Sequence, residues 1–242
     1  MPTTFSSNAV LFEYAKAAAM ADALADRITD GLSRATTRRE EASFAVSGGS
    51  TPRALYERLA QRSPEWSRIA IVLVDERWVE LGTRGSNEMF LRESLVRSKA
   101  AAARFVGLKT VGQTACEGLA EAEPRLSEVS RPFDSVVLGM GEDGHTASWF
   151  PHAQALEAAI GPSGSMVAAV DTTETNVTGP FTQRITLTRL ALSRAIEIHL
   201  LLCGADKRRA WQETLGSGPV ADMPVRALLR DPDIQLHAHW AS

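Results

Sequence analysis

The chain has 242 residues, 44% hydrophobic and 23% charged, and its 26 Lys and Arg against 29 Asp and Glu leave a formal net charge of -3. That balance is ordinary for a globular protein and argues against nucleic acid as a main partner, with no basic cluster to offset it. No apolar run reaches membrane length, residues 1–10 lack a signal-peptide pattern, and Cys116 and Cys203 have no metal-ligand spacing. The expectation is a soluble cytoplasmic protein with no membrane partner, no structural disulfide and no metal held by its cysteines.

Asn8 to Arg38 reads as helical, alanine-rich with apolar Val10, Leu11, Met20, Leu24, Ile28 and Leu32. Strands are predicted at Ser43–Val46, Ile69–Val74, Asp134–Leu138, Met166–Val170, Ile196–Cys203 and Ile234–His239, with a further short one at Arg104–Leu108. Helices are predicted at Pro52–Gln61, Asn87–Val96, Thr114–Val129 and Ala205–Leu215. This alternation implies an α/β fold: a single Rossmann-like domain over residues 1–242, its mostly parallel sheet covered by helices on both faces. Gly161–Ser165 and Thr172–Pro180 read as turn-rich loops, the second a candidate lid.

Four segments carry polar groups just past a strand, where open α/β sheets place ligands. After Phe44–Val46, the loop Ser47-Gly48-Gly49-Ser50-Thr51 leads through Pro52 into a helix. Unpaired amides and hydroxyls there suit phosphate, although neither G-x-x-x-x-G-K-[ST] nor G-x-G-x-x-G is matched, and Ser50 or Thr51 would also serve as a helix cap. After Ile69–Val74 come Asp75, Glu76 and Arg77. A strand end running out to solvent explains Glu76 well, and Asp75 and Arg77 less well. After Val136–Leu138, Gly139, Gly141 and Gly144 space out Glu142, Asp143 and His145. Glycines allow close approach of a ligand and a histidine titrates near neutrality, though a capping aspartate and a surface histidine make the same pattern. After Ile196–Cys203, Lys207 stands in the first turn of a helix, where it is either solvated or answers an anion.

Together these segments resemble the 6-phosphogluconolactonase family of the sugar-phosphate isomerase/deaminase-like superfamily. The likeness rests on SGGSTP (Ser47–Pro52), VDERWV (Val74–Val79), SNEMFLRESL (Ser86–Leu95), GMGEDGHTASWFP (Gly139–Pro151), RITLT (Arg184–Thr188) and GADKRRAW (Gly204–Trp211). It covers nearly the whole chain from Ser43, and Trp149 replaces the family's usual leucine. Aminosugar-6-phosphate deaminases share the Asp-Gly-His turn but carry a glutamate five residues past the histidine, where this chain has Phe150.

The resemblance implies hydrolysis of 6-phospho-D-glucono-1,5-lactone, a small-molecule partner, with no cofactor and no metal. It makes His145 the base, with Asp143 orienting the imidazole or holding the loop, and Arg77 a partner for the oxyanion or phosphate. Ser47, Gly48, Gly49, Ser50, Thr51, Arg184 and Lys207 would hold the phosphate and Asp75 the sugar hydroxyls. A monomer or small homo-oligomer is expected. The rivals are a deaminase or isomerase and a non-catalytic sugar-phosphate sensor. A sensor of this kind carries a helix-turn-helix ahead of it, and the 42 residues before the first strand read as one long helical region. His152, His199, His237 and His239 are read as structural; His237 and His239 alternate like a metal pair but lack an evident third ligand.

Overall fold

The computed structural model describes residues 3–6, 9–162, 164–175 and 177–242. Ser163 and Asn176, which fall in the two expected loops, and Met1, Pro2, Ser7 and Asn8 lie outside the described residues. The chain runs through β1 (Thr3–Ser6), β2 (Ala9–Tyr14), α1 (Ala17–Arg38), β3 (Ala42–Val46), α2 (Arg53–Leu59), β4 (Ile69–Leu73), β5 (Asp75–Arg77) and α3 (Asn87–Ser94). It continues with β6 (Arg104–Val106), α4 (Ala115–Ser127), β7 (Ser135–Gly139), α5 (Leu156–Ile160), β8 (Val167–Asp171), β9 (Gln183–Leu187) and α6 (Arg189–Leu192). It closes with β10 (Ile198–Cys203), α7 (Gly204–Thr214), α8 (Arg226–Leu229) and β11 (Leu236–Ala241).

Eight strands form one sheet in the order β1-β2-β11-β10-β7-β3-β4-β6. Every neighbouring pair is parallel except β1 with β2. Consecutive residues of β3 and β4 are all buried, so both faces of the sheet are covered there. On α1, Met20, Leu24, Ile28 and Leu32 recur every four residues and are buried, which gives one apolar stripe packed on β2, β3, β7 and β11. Full burial of a side chain such as Ile71 stabilises by about 1.5–3 kcal/mol, so this continuous core dominates the stability.

The chain order reverses between β3 and β7. From β3 the chain steps outward to β4 and β6; it then returns to β7 and continues the other way to β10 and β11. In an open α/β sheet the crevice forms at that switch point, beyond the carboxyl ends of the strands. The neighbours β4, β3, β7 and β10 are the strands that carry the four polar segments.

Two expectations are corrected. Ala9–Tyr14 is not helix but strand β2, paired in parallel with β11. Ala9 and Leu11 are buried while Val10 and Phe12 are half-buried, a period of two that the alanine-rich continuation hides. The strand expected at Met166–Val170 also lies outside the main sheet. It becomes β8, joined antiparallel to β9, which pairs antiparallel with β5 in a second, three-stranded sheet.

Candidate active site

One cleft of about 320 Å³ gathers residues far apart in sequence. Ser47, Gly48, Gly49, Ser50 and Thr51 enter from the end of β3, Asp75 and Arg77 from β5 just past β4, and Arg184 from β9. Gly141 and His145 come from the turn after β7, and Cys203 and Lys207 from the junction of β10 with α7. Asp143 stands behind His145 and lines the neighbouring recess. Every residue expected at the site is thus at or against one crevice.

The histidine is held by its own turn. Asp143 Oδ1 lies 2.6 Å from His145 Nδ1 and also accepts the His145 backbone N–H at 3.1 Å. An ionised carboxylate only accepts, so Nδ1 carries the proton and Nε2 is left as the basic nitrogen. Burial opposes ionisation of Asp143, but the hydrogen bonds and charge of His145 hold its pKa below the ordinary aspartate value. Gly141 leaves room for the pair: a Cβ there would sit 2.0 Å from His145 Nδ1 and 2.3 Å from Asp143 Oδ1. Phe150 packs on the imidazole with ring centroids 4.7 Å apart, so the position where a deaminase carries glutamate does face this histidine.

Around the glycine loop, Ser47 Oγ and Arg77 Nε are buried and have no hydrogen-bond partner among the described residues. Buried donors without partners are costly unless a ligand satisfies them, so both mark a place for an acceptor. Gly49 has φ of +97°, a left-handed turn that glycine adopts without strain. The cap expected from Ser50 or Thr51 is absent; Pro52 holds the N-cap position of α2 with no side-chain cap, which leaves both hydroxyls free of that duty.

Arg184 is largely committed within the protein. It donates to the carbonyls of Phe181 (3.1 Å) and Thr178 (2.5 Å) and lies 5.0 Å from the centroid of Phe150. Arg77 donates to the Gly85 carbonyl at 2.6 Å and continues into a second recess with Arg53 and Arg84. Among the described residues no carboxylate lines that recess, so the cleft opens onto a positive surface in a chain of negative net charge.

Glu76 contradicts its expected exposure and is fully buried. Its carboxylate accepts from the backbone N–H groups of Arg77 (2.8 Å), Asn87 (2.7 Å) and Glu88 (2.8 Å) and from Ser86 Oγ (3.0 Å). It therefore staples β5 to the first turn of α3, where Ser86 is the side-chain cap. Burial outweighs those bonds and raises its pKa. Asp75 is also engaged: Ser148 Oγ donates to Oδ2 at 2.7 Å, and Asn87 Nδ2 donates to the Asp75 carbonyl at 2.8 Å and to Oδ1 at 3.3 Å. The sequence reading missed Asn87 and Ser148 as site residues. The pair Ser86-Asn87, two helix-starting residues in a row, was the available signal for the first; Ser148 had none.

Away from the cleft, His199, His237 and His239 meet on one face of β10 and β11. His199 Nδ1 lies 3.2 Å from His239 Nε2, and Tyr14 Oη lies 3.1 Å from His239 Nδ1. Arg27 contacts His237 Nδ1 at 3.3 Å and pairs with Glu197 at 2.9 Å. Burial, reinforced by the Arg27 charge, lowers His237 to about 4 and also holds His199 and His239 below the ordinary histidine value. Burial opposes the ionisation of Glu197, yet His199 and Arg27 together bring it down to about 2. Among the described residues no three His, Cys, Asp or Glu side chains are grouped to hold a metal ion, and no helix is long and apolar enough to cross a membrane.

Fold and cleft together define an α/β protein of the doubly wound class, with its ligand crevice at the switch point of the sheet. A family model described as glucosamine-6-phosphate isomerases/6-phosphogluconolactonase matches residues 15–238, and the chain belongs to that family. It is 39% identical over 236 residues to a 6-phosphogluconolactonase of Rhizobium meliloti (strain 1021), covering 98% of this chain and 99% of that protein. A 6-phosphogluconolactonase of Pseudomonas aeruginosa is 37% identical over 94% of this chain and 92% of its own length. The crystal structure of a 6-phosphogluconolactonase from Shewanella baltica OS155 superposes with a TM-score of 0.93 at 39% identity, covering 98% of this chain and 99% of that one.

Proposed function

We propose that the protein hydrolyses 6-phospho-D-glucono-1,5-lactone to 6-phosphogluconate, the lactone-opening step of the oxidative pentose phosphate pathway. The carrying observation is the Asp143–His145 pair set in one cleft with the Ser47–Thr51 loop and Lys207. A δ-lactone is an activated ester, so the site has three tasks: to anchor phosphate, to activate water and to stabilise the oxyanion. The amides and hydroxyls of Ser47–Thr51, with Lys207 as a point charge and Arg184 beside them, anchor the phosphate. That remote binding energy positions the lactone carbonyl against the attacking water.

His145 Nε2 removes a proton from the water as its oxygen bonds to the lactone carbonyl carbon. Arg77, whose Nε lacks a partner, faces the negative charge that develops on the carbonyl oxygen. Collapse of the tetrahedral intermediate breaks the bond from the carbonyl carbon to the ring oxygen, and His145 returns its proton to that oxygen. The carboxylic acid product then ionises to solvent. Positioned acid–base work of this kind is worth about 10²–10⁴ in rate. Phe150 supplies no proton relay at the position where a deaminase has an acid, which favours hydrolysis over deamination. No nucleic-acid or membrane partner enters this reading, and the reaction is placed in the cytoplasm.

The test is the disappearance of freshly generated lactone at mildly acidic pH, where spontaneous hydrolysis is slow, with and without the protein. Acceleration that persists with a chelator supports a metal-free lactonase. Release of ammonia from glucosamine 6-phosphate without lactone hydrolysis would replace it with a deaminase, and tight binding of 6-phosphogluconate with no turnover would replace it with a sensor.

A further inference from the structure

Asn87, the first residue of α3, is almost fully buried yet lines the cleft between the glycine loop and Asp75. Its orientation is fixed by chemistry. One end of its amide faces the Asp75 carbonyl at 2.8 Å and the Asp75 carboxylate at 3.3 Å, both acceptors, so that end is Nδ2. Its backbone is fixed as well, through the bond from its N–H to Glu76. Oδ1 is thereby turned onto the glycine loop, where a Cβ on Gly48 would lie only 2.0 Å from it. Gly48 has no side chain, and the Asn87 amide fills the space one would occupy. No hydrogen bond reaches Oδ1 among the described residues, so an oriented acceptor stands in the cleft without a donor.

An acceptor oxygen beside an anion-binding loop repels phosphate and attracts a hydroxyl. We propose that Asn87 is a specificity-determining contact whose Oδ1 accepts a hydrogen bond from a hydroxyl of the sugar lactone, selecting polyhydroxylated rings over deoxy analogues. This rests on the lactonase reading above. Asp75 is then the residue that aims Asn87, and Ser148 ties Asp75 to the segment that follows His145.

The experiment compares kcat/KM for 6-phosphogluconolactone with its 2-, 3- and 4-deoxy analogues in the parent protein, in Asn87→Ala and in Asn87→Asp. In the parent, loss of the contacted hydroxyl costs about 10-fold, the scale of one neutral hydrogen bond. In Asn87→Ala that penalty falls to within about 2-fold of unity, because no acceptor remains to be left unpaired. Asn87→Asp keeps an oxygen over Gly48 and so keeps the penalty, while losing the donor to Asp75 lowers its overall rate. Penalties unchanged in Asn87→Ala for all three analogues, or lost in Asn87→Asp, overturn the contact. A parent protein that hydrolyses none of the lactones overturns the lactonase reading, and the contact with it.

Discussion

Gly141→Ala tests whether the geometry of the Asp143–His145 pair governs the rate. A Cβ built on Gly141 lies 2.0 Å from His145 Nδ1 and 2.3 Å from Asp143 Oδ1, whereas an ordinary contact of this kind is about 3.5–4.0 Å. One or both groups must therefore move by more than an ångström. Gly141 has no positive φ, so alanine is acceptable to the backbone and the cost falls on the pair. Misplacement of a catalytic group by about 1 Å costs on the order of 10²-fold, so kcat should fall by about that factor. The lost Asp143–His145 hydrogen bond should cost only about 1–2 kcal/mol of stability, a few degrees in Tm. The assay is steady-state lactone hydrolysis with thermal unfolding measured on the same sample. Because the variant acts through His145, Gly141→Ala combined with His145→Ala should be no slower than His145→Ala alone. A kcat within about 3-fold of the parent, in a folded protein, refutes the reasoning.

Lys207→Ala removes a point charge at the cleft; it should weaken 6-phosphogluconate binding by about 10-fold or more and lower kcat less, as calorimetry beside kinetics would show. Glu76→Gln leaves part of a set of four donors unsatisfied in a buried place, with an expected loss of about 3 kcal/mol and roughly 10 °C in Tm; a fall of under 2 °C would contradict the staple. For the histidine cluster, depressed folded values mean that the unfolded chain binds more protons below about pH 6.5, so stability drops as the pH falls. His237, at about 4, accounts for about 3 kcal/mol of that loss between pH 6.5 and 4. Glu197, at about 2, keeps its contribution above its ordinary 4.5 and loses it progressively below, so it adds to the loss only at the acid end of this window. His237→Phe should flatten the dependence of Tm on pH there, and an unchanged slope would count against the cluster.

Much of the site was legible because its residues leave strands in short glycine-marked turns, and the strands themselves are near-continuous apolar runs. Parallel sheets place such turns on one edge, so Ser47, Asp75, His145 and Lys207 could be grouped before any geometry was known. The sequence did not display what depends on contacts between distant elements. Glu76 looks like a solvent-facing charge because, of its four donors, one is the N–H of the next residue and the other three lie ten to twelve residues on, at a helix start. Strand β2 is masked by the alanine-rich helix after it, and its place is set by pairing with β11 at the far end of the chain. Strand β8 was expected as a strand but not as part of a second sheet, because its partners β5 and β9, of three and five residues, are too short for periodicity to separate from loop. Arg184 was expected to join Lys207 and the Ser47–Thr51 loop in holding the phosphate, yet much of its donor capacity is used on the Thr178 and Phe181 carbonyls, which only the folded loop reveals.

The most direct test of the central claim is the turnover of freshly generated 6-phosphogluconolactone by His145→Ala beside the parent protein, with 6-phosphogluconate binding measured on both. In His145→Ala kcat should fall by about 10² or more while product affinity stays within about 3-fold. Undiminished turnover, or equal losses in turnover and binding, would contradict the assignment of His145 as the base.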